Sequence, residues 1–172
     1  MSNYFRIDSA NIWENISKAK WIWGGDNPRP VNQYRLFRKE INFDELPLNA
    51  EIYIYAESRY RLYINNEFIQ VGPAPCQPDN RLFDNYEIGK YFKPGMNCIG
   101  IEVYCPGLMN GQWTMVNPGL IASIGINSGT ECIITDSSWK TTHSIAWVSN
   151  TQICPYAKGF HEYYDMTKSE PG

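Results

Sequence analysis

Hydrophobic and polar residues alternate with a period of two along much of the chain, which is the pattern of strands buried on one face. The stretch AEIYIYAES, residues 50–58, places Ile52, Ile54 and Ala56 on one face and its tyrosines on the other. The stretch YRLFRKEINF, residues 34–43, alternates in the same way. Both stretches are therefore predicted to be half-buried strands.

The stretch RYRLYINNEFIQVGPAP, residues 59–75, is predicted to form a β-hairpin. Its central Asn-Asn pair tolerates the positive φ angles of a two-residue type I′ turn, and Gly72-Pro73 ends the return strand. Leu62, Ile64 and Phe68 cannot share a face with the arginine and the tyrosine of the first strand. We therefore expect the chain to bury one of these two sets.

The rest of the chain predicts further strands between turns and loops. Ile12, Trp13, Ile16 and Ala19 recur at helical spacing, which predicts one short helix before the first strand. The later elements are expected in this order: a proline-rich connection between sheets at 73–88, a strand within 91–105, a loop at 106–113, a buried strand at 119–126, a turn at 127–130 and a strand with a polar exit at 131–144. This order indicates an all-β fold, an antiparallel β-sandwich of jelly-roll type.

Length and composition narrow the function. A chain of 172 residues predicts one domain. The net charge is −3 and no basic stripe is present, which argues against nucleic acid as a partner. The 12 Tyr and 6 Trp exceed what a core of this size needs, and their rings suit sugar faces or protein interfaces. Aromatic residues are also favoured within strands, so most of these rings are expected to line strands.

The cysteines and the N-terminus bear on the compartment. The cysteine count is 5, an odd number, and no CxxC spacing occurs, which argues against a zinc site and a disulfide framework. We expect buried free thiols, which favour a cytoplasmic location. The N-terminus lacks a signal-peptide pattern, and no stretch approaches about 18 uninterrupted apolar residues. A periplasmic or secreted protein whose signal has been removed is the alternative.

Five segments, in the same order along the chain, resemble the N-terminal β-sandwich region of bacterial α-L-rhamnosidases, which are glycoside hydrolases. The segments are AKWIW (19–23), AESRYRLYINNEFIQVGPAP (56–75), YEIGKYFKPGMNCIGIEVY (86–104), TDSSWK (135–140) and FHEYYDM (160–166). The chain departs from the family pattern at Asn66 and at Ala74, where the family prefers glycine.

The resemblance implies a domain layout and a partner. It implies a galactose-binding-domain-like sandwich at residues 19–166, a helical or irregular lead-in at 1–18 and the start of a linker at 167–172. In that family a downstream (α/α)₆ barrel carries the acidic catalytic pair. The resemblance thus implies a non-catalytic domain whose partner is the catalytic domain of the same parent chain, with a rhamnose-containing glycan as the candidate ligand.

The residues themselves indicate no catalytic machinery. Glycoside hydrolysis uses two carboxyl groups that face each other about 5–9.5 Å apart. Glu162 and Asp165 are close in sequence, but they lie in the closing segment, where we expect a capping or anchoring role. His143 and His161 lie near no nucleophile or metal motif. We therefore predict that the chain alone is not an enzyme.

Four residues of the proline-rich connection raise the question of a metal. Asp79, Asn80, Asp84 and Asn85 offer the hard oxygen ligands that calcium prefers. Asx turns explain the same residues without an ion. We therefore predict no cofactor, with a structural calcium ion as the alternative.

A carbohydrate site combines a ring that stacks on a sugar face with polar groups that bind hydroxyls. The candidates lie on the 106–113 loop, on the crossing connection and beside the hairpin: Tyr104, Asn110, Gln112, Trp113, Arg81, Asp84, Tyr86 and Arg59. The family pattern at Arg59, Tyr86 and Trp139 is best explained by packing or by hydrogen bonds between the sheets. Two functions stay open: an accessory domain that supports or flanks the catalytic barrel, either with or without carbohydrate binding, and a stand-alone, lectin-like carbohydrate-binding module.

Overall fold

The computed structural model describes residues 16–109, 114–154 and 159–168, and these residues build two antiparallel sheets around one core. The five-stranded sheet contains β1 (Gln33–Phe43), β3 (Arg59–Ile64), β4 (Glu67–Gly72), β6 (Gly95–Cys105) and β9 (Lys140–His143), which pair in the order β4-β3-β6-β1-β9. The four-stranded sheet contains β2 (Ala50–Glu57), β5 (Asp84–Glu87), β7 (Gly119–Ile126) and β8 (Glu131–Ile134), which pair in the order β5-β2-β7-β8. A two-stranded ribbon of β10 (Ile153–Cys154) and β11 (Gly159–Phe160) and a 3₁₀ helix at Gly89–Tyr91 complete the described elements. The predicted antiparallel β-sandwich is confirmed.

The core lies between the two sheets and is supplied by the alternating residues of their strands. Ile99, Ile101 and Val103 of β6 are buried in the same cluster as Ile52 and Ile54 of β2. Because burial contributes about 25 cal/mol per Å² of apolar surface removed from water, this arrangement fixes which face of each strand turns inward. The period-two pattern therefore predicted the core side of β2 correctly, and β6 follows the same alternation.

The outer face of β2 differs from the expectation of a half-buried strand. Tyr55 and Glu57 point away from the core, yet both are buried. Tyr55 forms a second cluster that includes Ala19, from the segment before β1, and Phe83, from the crossing connection at 73–88. The prediction is wrong at this end of β2 because two distant segments cover the sheet, and strand periodicity carries no information about such a layer.

The hairpin between β3 and β4 has the predicted turn. Asn65 and Asn66 have φ angles of 52° and 68°. Ile64 and Leu62 are the buried set, as alternation requires. Phe68 does not join them: it lies opposite Tyr63 in the register of the hairpin and is 53% exposed. The expected grouping of Phe68 is therefore wrong, because a two-residue turn places that position on the outer face of the sheet.

The connections show one confirmed and one incorrect prediction. The segment after Gly72 leaves the five-stranded sheet and enters the four-stranded sheet at β5, so the 73–88 connection crosses between sheets as predicted. The 131–144 segment was expected to be one strand, but it forms β8 in one sheet and β9 in the other. Trp139 lies between the two strands, is buried, and donates its indole N–H to the carbonyl of Ile134.

The lead-in and the cysteines also differ in part from expectation. Residues 16–18 are helical, and Ile16 and Ala19 are buried, while residues 12 and 13 fall outside the described ranges. All five cysteines are free, as predicted, but only Cys105 is buried and Cys132 is exposed. Within the described part of the chain, no helix has the length and apolar character needed to span a membrane.

Candidate functional site

An open cleft of about 350 Å³ lies at the end of the sandwich where β2 stops and β7 begins. It is referred to below as the cleft, and its lining residues are Trp21, Glu57, Arg81, Val116, Asn117 and Pro118. Four separate parts of the chain contribute to it: the segment before β1, the end of β2, the crossing connection and the segment before β7. The fold therefore brings together residues that are far apart in sequence.

Trp21 is held at the cleft by the backbone of its neighbour. Ile22 and Leu120 of β7 exchange two N–H···O hydrogen bonds of 2.9 Å, which tie the segment before β1 to the sheet. The Trp21 ring packs edge-on against Tyr55, with ring centroids 6.0 Å apart. A Cβ at Gly119 would lie 2.6 Å from Cε3 of Trp21, so the absence of a side chain there makes room for the ring. Trp21 nevertheless remains 46% exposed.

Arg81 and Glu57 form an ion pair in the cleft. Nε of Arg81 donates to Oε1 of Glu57 at 2.9 Å, and the Glu57 side chain is only 7% exposed. A carboxylate so far removed from water requires a partner of this kind. The Arg81 guanidinium carbon also lies 5.2 Å from the centre of the Trp21 ring, within the range of a cation–π contact. The pair thus orients the guanidinium beside the exposed ring.

A second cavity of about 180 Å³ adjoins the cleft and shares Val116, Asn117 and Pro118 with it. Its other wall includes Cys105, whose thiol pKa is raised to about 11 by burial. Only glycine fits at position 107 of this wall. The backbone there has a φ of +66°, and a Cβ would lie 2.1 Å from the carbonyl oxygen of Pro30. The two cavities together lie at one end of the sandwich, where Gly107 and residues 116–118 are found.

The predicted site residues divide among several places. Arg81 lines the cleft. Asn110, Gln112 and Trp113 lie outside the described residues, between Met109 and Thr114, so their part in a site stays a prediction.

Asp84 and Tyr86 lie away from the cleft and bind Tyr60 of β3. The Tyr60 hydroxyl donates to Oδ2 of Asp84 at 2.5 Å and lies 3.0 Å from the Tyr86 hydroxyl. Burial raises the pKa of Asp84, although the hydrogen bonds from the two tyrosines lower it. Tyr60 of the five-stranded sheet thus links to β5 of the four-stranded sheet.

Arg59 and Tyr104 belong to the outer face of the five-stranded sheet. Nη2 of Arg59 donates to Oε1 of Glu162 at 2.5 Å, and its guanidinium lies 5.1 Å from the centre of the Tyr104 ring. The Tyr104 hydroxyl donates to Oδ1 of Asn32, whose amide nitrogen donates to the carbonyl of Ser149. These contacts attach residues 144–154 and 159–168, called the strap below, to the sheet.

Trp147 is the centre of the strap's attachment. Its ring stacks on Tyr34 with centroids 4.2 Å apart and an interplanar angle of 12°. Its indole N–H donates to Oε2 of Glu102 at 2.7 Å, while Oε1 of Glu102 accepts from Arg61. The group Tyr34, Arg59, Arg61, Glu102, Trp147 and Glu162 is called the strap cluster below. Burial alone would raise the pKa of Glu162, but the hydrogen bond and charge of Arg59 and the charge of Arg61 hold it below its usual value.

The remaining acidic and polar candidates have local partners. Oδ1 of Asp165 accepts hydrogen bonds from the backbone N–H and the hydroxyl of Thr167, which is the capping role expected of it. The four oxygen-bearing residues of the crossing connection do not all turn toward one point: Asp84 binds Tyr60, and the Asn85 amide lies 3.4 Å from Oε2 of Glu51. Within the described ranges, no three His, Cys, Asp or Glu residues form a group that could hold a metal ion.

Trp21, Glu57 and Asn117 are cleft residues that the sequence did not single out. Trp21 belongs to the short apolar stretch Trp-Ile-Trp, and Glu57 follows Ala56 at an outward position of β2. One signal was available for Trp21: in Trp-Ile-Trp, a central residue that joins the sheet leaves its two neighbours on the opposite side. No comparable signal marks Glu57 or Asn117, because their place in the cleft depends on tertiary contacts.

The structure is similar to one domain of much longer enzymes. A GH78 family rhamnosidase of Bacillus sp. GL1 matches with a TM-score of 0.79 and 33% identity over 86% of this chain, but over only 16% of the enzyme. The α-L-rhamnosidase from Dictyoglumus thermophilum matches with a TM-score of 0.61 and 26% identity over 78% of this chain and 17% of the enzyme. The chain therefore corresponds to one domain of GH78 α-L-rhamnosidases.

A lectin is also similar. The apo form of a Pleurotus ostreatus lectin matches with a TM-score of 0.58 and 25% identity over 85% of this chain and 41% of the lectin chain. This match fits the galactose-binding-like β-sandwich predicted from the sequence. No protein-family model and no curated protein sequence matches the chain.

Proposed function

We propose that the chain, which matches one domain of the GH78 α-L-rhamnosidases, is a non-catalytic, carbohydrate-related accessory domain of such a glycosidase. The match to the Bacillus enzyme carries the proposal, because it covers 86% of this chain and 16% of the enzyme. In the proposed layout, residues 19–166 form the accessory sandwich, residues 167–172 begin a linker, and a catalytic domain of the same polypeptide performs the hydrolysis.

The state of the carboxylates supports a non-catalytic role. Glycoside hydrolysis needs two carboxyl groups on opposite sides of the scissile bond. Glu57 is paired with Arg81, Glu162 with Arg59, and Asp84 with Tyr60. Glu57 is the one acidic residue among the described residues that line the cleft and its adjoining cavity. The arrangement is that of ion pairs and hydrogen bonds within a domain.

Hydrolysis assays test the proposal. The 172-residue chain is expected to release no aryl alcohol from an aryl α-L-rhamnoside, whereas a polypeptide that also contains the proposed catalytic domain is expected to do so. The isolated chain is also expected to bind that catalytic domain when the two are mixed. Rhamnoside turnover by the isolated chain, at a rate proportional to its concentration, would refute the non-catalytic role.

A stand-alone, lectin-like module is the second candidate. The similarity to the Pleurotus lectin and the open cleft favour it. The two candidates differ in the reading frame that encodes the chain. An accessory domain requires about 400 or more further residues with a helical-repeat pattern, whereas a lectin-like module requires none.

A further inference from the structure

We infer that the cleft binds one or two rings of an uncharged glycan, with Trp21 as the stacking surface and with Arg81 and Asn117 as its hydrogen-bonding groups. The inference rests on the proposed carbohydrate-related function. It specifies where the carbohydrate binds and that the carbohydrate is uncharged. It differs from the site predicted on the 106–113 loop, whose stacking ring is Trp113.

The first step concerns the exposed ring. A pyranose has a face of C–H groups that packs on an aromatic ring, so a binding site offers a ring that is open to solvent and held in place. Trp21 is open, at 46% exposure, and its edge contact with Tyr55 and the hydrogen bonds of Ile22 hold it. Phe68 is exposed to a similar extent, but it lies on the edge strand β4 and lines neither the cleft nor the adjoining cavity.

The second step concerns the polar groups beside that ring. A guanidinium has five N–H donors, and Arg81 uses one of them, Nε–H, for Glu57. Among the described residues, the terminal nitrogens of Arg81 and the amide of Asn117 form no hydrogen bond. Asn117 is exposed and lines the same cleft. Donors and an acceptor therefore lie beside the ring, as vicinal sugar hydroxyls require.

The third step concerns charge. Glu57 neutralises Arg81, and the other lining residues, Val116 and Pro118, are apolar. The carboxylate of an acidic sugar at the terminal nitrogens of Arg81 would lie close to the Glu57 carboxylate, and one guanidinium cannot neutralise both. Because like charges repel, and more strongly where water is partly excluded, the cleft favours a neutral ring. A cleft of 350 Å³ is also near the lower end of ligand pockets, about 300–1,000 Å³, which suits one or two rings.

Titration calorimetry with the 172-residue chain tests the inference. The probes are methyl α-L-rhamnoside, methyl α-D-galactoside and methyl α-D-galacturonide, because the last two differ only in the carboxylate. At least one neutral glycoside is expected to bind. The affinity of the galacturonide is expected to be at least about tenfold lower than that of this neutral glycoside. Trp21→Ala and Arg81→Met should each weaken the neutral glycoside about tenfold or more.

The controls separate the cleft from other surfaces. Phe68→Ala removes an equally exposed ring elsewhere and should leave the affinity unchanged, and thermal melts of every variant establish that it is folded. An unchanged affinity in folded Trp21→Ala, tighter binding of the galacturonide, or no binding of any probe overturns the inference. Loss of binding in Trp113→Ala but not in Trp21→Ala also overturns it and favours the 106–113 loop. None of these results affects the hydrolysis assays, so the proposed function fails or stands separately.

Discussion

Two regions of the molecule combine a tryptophan, arginine and glutamate, and they differ in what remains accessible. In the strap cluster, Trp147 stacks on Tyr34, lies beneath Arg61 and donates its indole N–H to Glu102. In the cleft, the Arg81–Glu57 pair lies beside Trp21, but much of that ring faces solvent. The same three residue types therefore attach one segment to the sheet in the first region and form an open surface in the second.

The difference arises from what covers each group. Backbone hydrogen bonds such as Val148 N–H to the Tyr163 carbonyl join the two parts of the strap, and Ser144 N–H to the Tyr34 carbonyl joins the strap to β1 of the five-stranded sheet. The strap's own aromatic and acidic residues then satisfy the arginines of β3. In the described residues, no such segment lies over Trp21. Residue type alone is thus a weak guide to binding, because coverage decides whether a ring stabilises the fold or meets a ligand.

The largest expected effect separates the two tryptophans by stability. Trp147→Ala removes a stacked ring and the hydrogen bond to Glu102, and it should lower the free energy of unfolding by about 3 kcal/mol. Trp21→Ala removes the edge contact with Tyr55 and the cation–π contact with Arg81 from a half-exposed ring, and it should lower this free energy by about 1 kcal/mol. Urea denaturation of both variants measures the difference. Equal losses would contradict the assignment of Trp147 to structure and Trp21 to binding.

The hydrogen bond between Tyr60 and Asp84 lies outside both regions and provides a reference for their effects on stability. Tyr60→Phe leaves the Asp84 carboxyl without its closest donor and should cost about 2 kcal/mol. Since burial raises the folded-state pKa of Asp84 above its usual 3.8, the folded chain holds that proton more tightly than the unfolded chain. Stability from this group is therefore greatest below pH 3.8 and falls as the pH rises through the folded-state pKa.

Asp84→Asn is the matched control for that pH dependence. It keeps an oxygen that accepts from Tyr60 but removes the titration. Melting temperatures measured from acid to neutral pH should fall for the original chain relative to the Asn variant as the pH rises. A difference that stays constant with pH would show that Asp84 titrates alike in the folded and unfolded chain.

A smaller effect tests the support of the cleft ring. Gly119→Ala places a Cβ 2.6 Å from Cε3 of Trp21, so the ring must move. Because the ring is partly exposed and can shift, the cost in stability should be about 1 kcal/mol. As a fraction of its original value, the binding free energy of the glycan should fall more than the free energy of unfolding, since stacking depends on the position of the ring. Calorimetry and denaturation on the same sample compare the two losses.

The smallest effect concerns the strap. Glu162 has a lowered pKa, so its ion pair with Arg59 stabilises the fold above the usual carboxyl pKa of 4.5 and loses this contribution as the pH falls through the lower folded-state value. Because the pair is partly exposed, Glu162→Gln should cost less than about 1 kcal/mol at neutral pH. The stability curves of the two proteins should converge in acid. Curves that diverge in acid would reverse the sign argued here.

Local pattern predicted much of the fold. The alternation of Ile99, Ile101 and Val103, the Asn65-Asn66 turn and the crossing connection follow from side-chain period and turn chemistry, which act over a few residues. The buried outer face of β2 at Tyr55 could not be predicted in this way, because distant segments cover it.

The candidate site was predicted less completely, for a related reason. Arg81 was identified as a polar residue of the crossing connection, and the structure places it in the cleft. Arg59 and Tyr104 are residue types that also suit a sugar site, but Glu162 of the strap binds Arg59, and Arg59 in turn lies over the Tyr104 ring. Trp21 and Glu57 become neighbours only when Ile22, in the segment before β1, hydrogen-bonds to β7. No local sequence pattern encodes that contact.

Nuclear magnetic resonance of the tryptophan indole N–H groups compares the two regions within one titration. With signals assigned from Trp21→Phe and Trp147→Phe, addition of a neutral glycoside that the chain binds should shift the Trp21 indole resonance progressively. The Trp147 resonance should stay in place, because its N–H is bound to Glu102 beneath the strap. A Trp21 signal that stays unchanged at saturation, or a shift at Trp147 instead, would contradict the assignment of binding to the cleft.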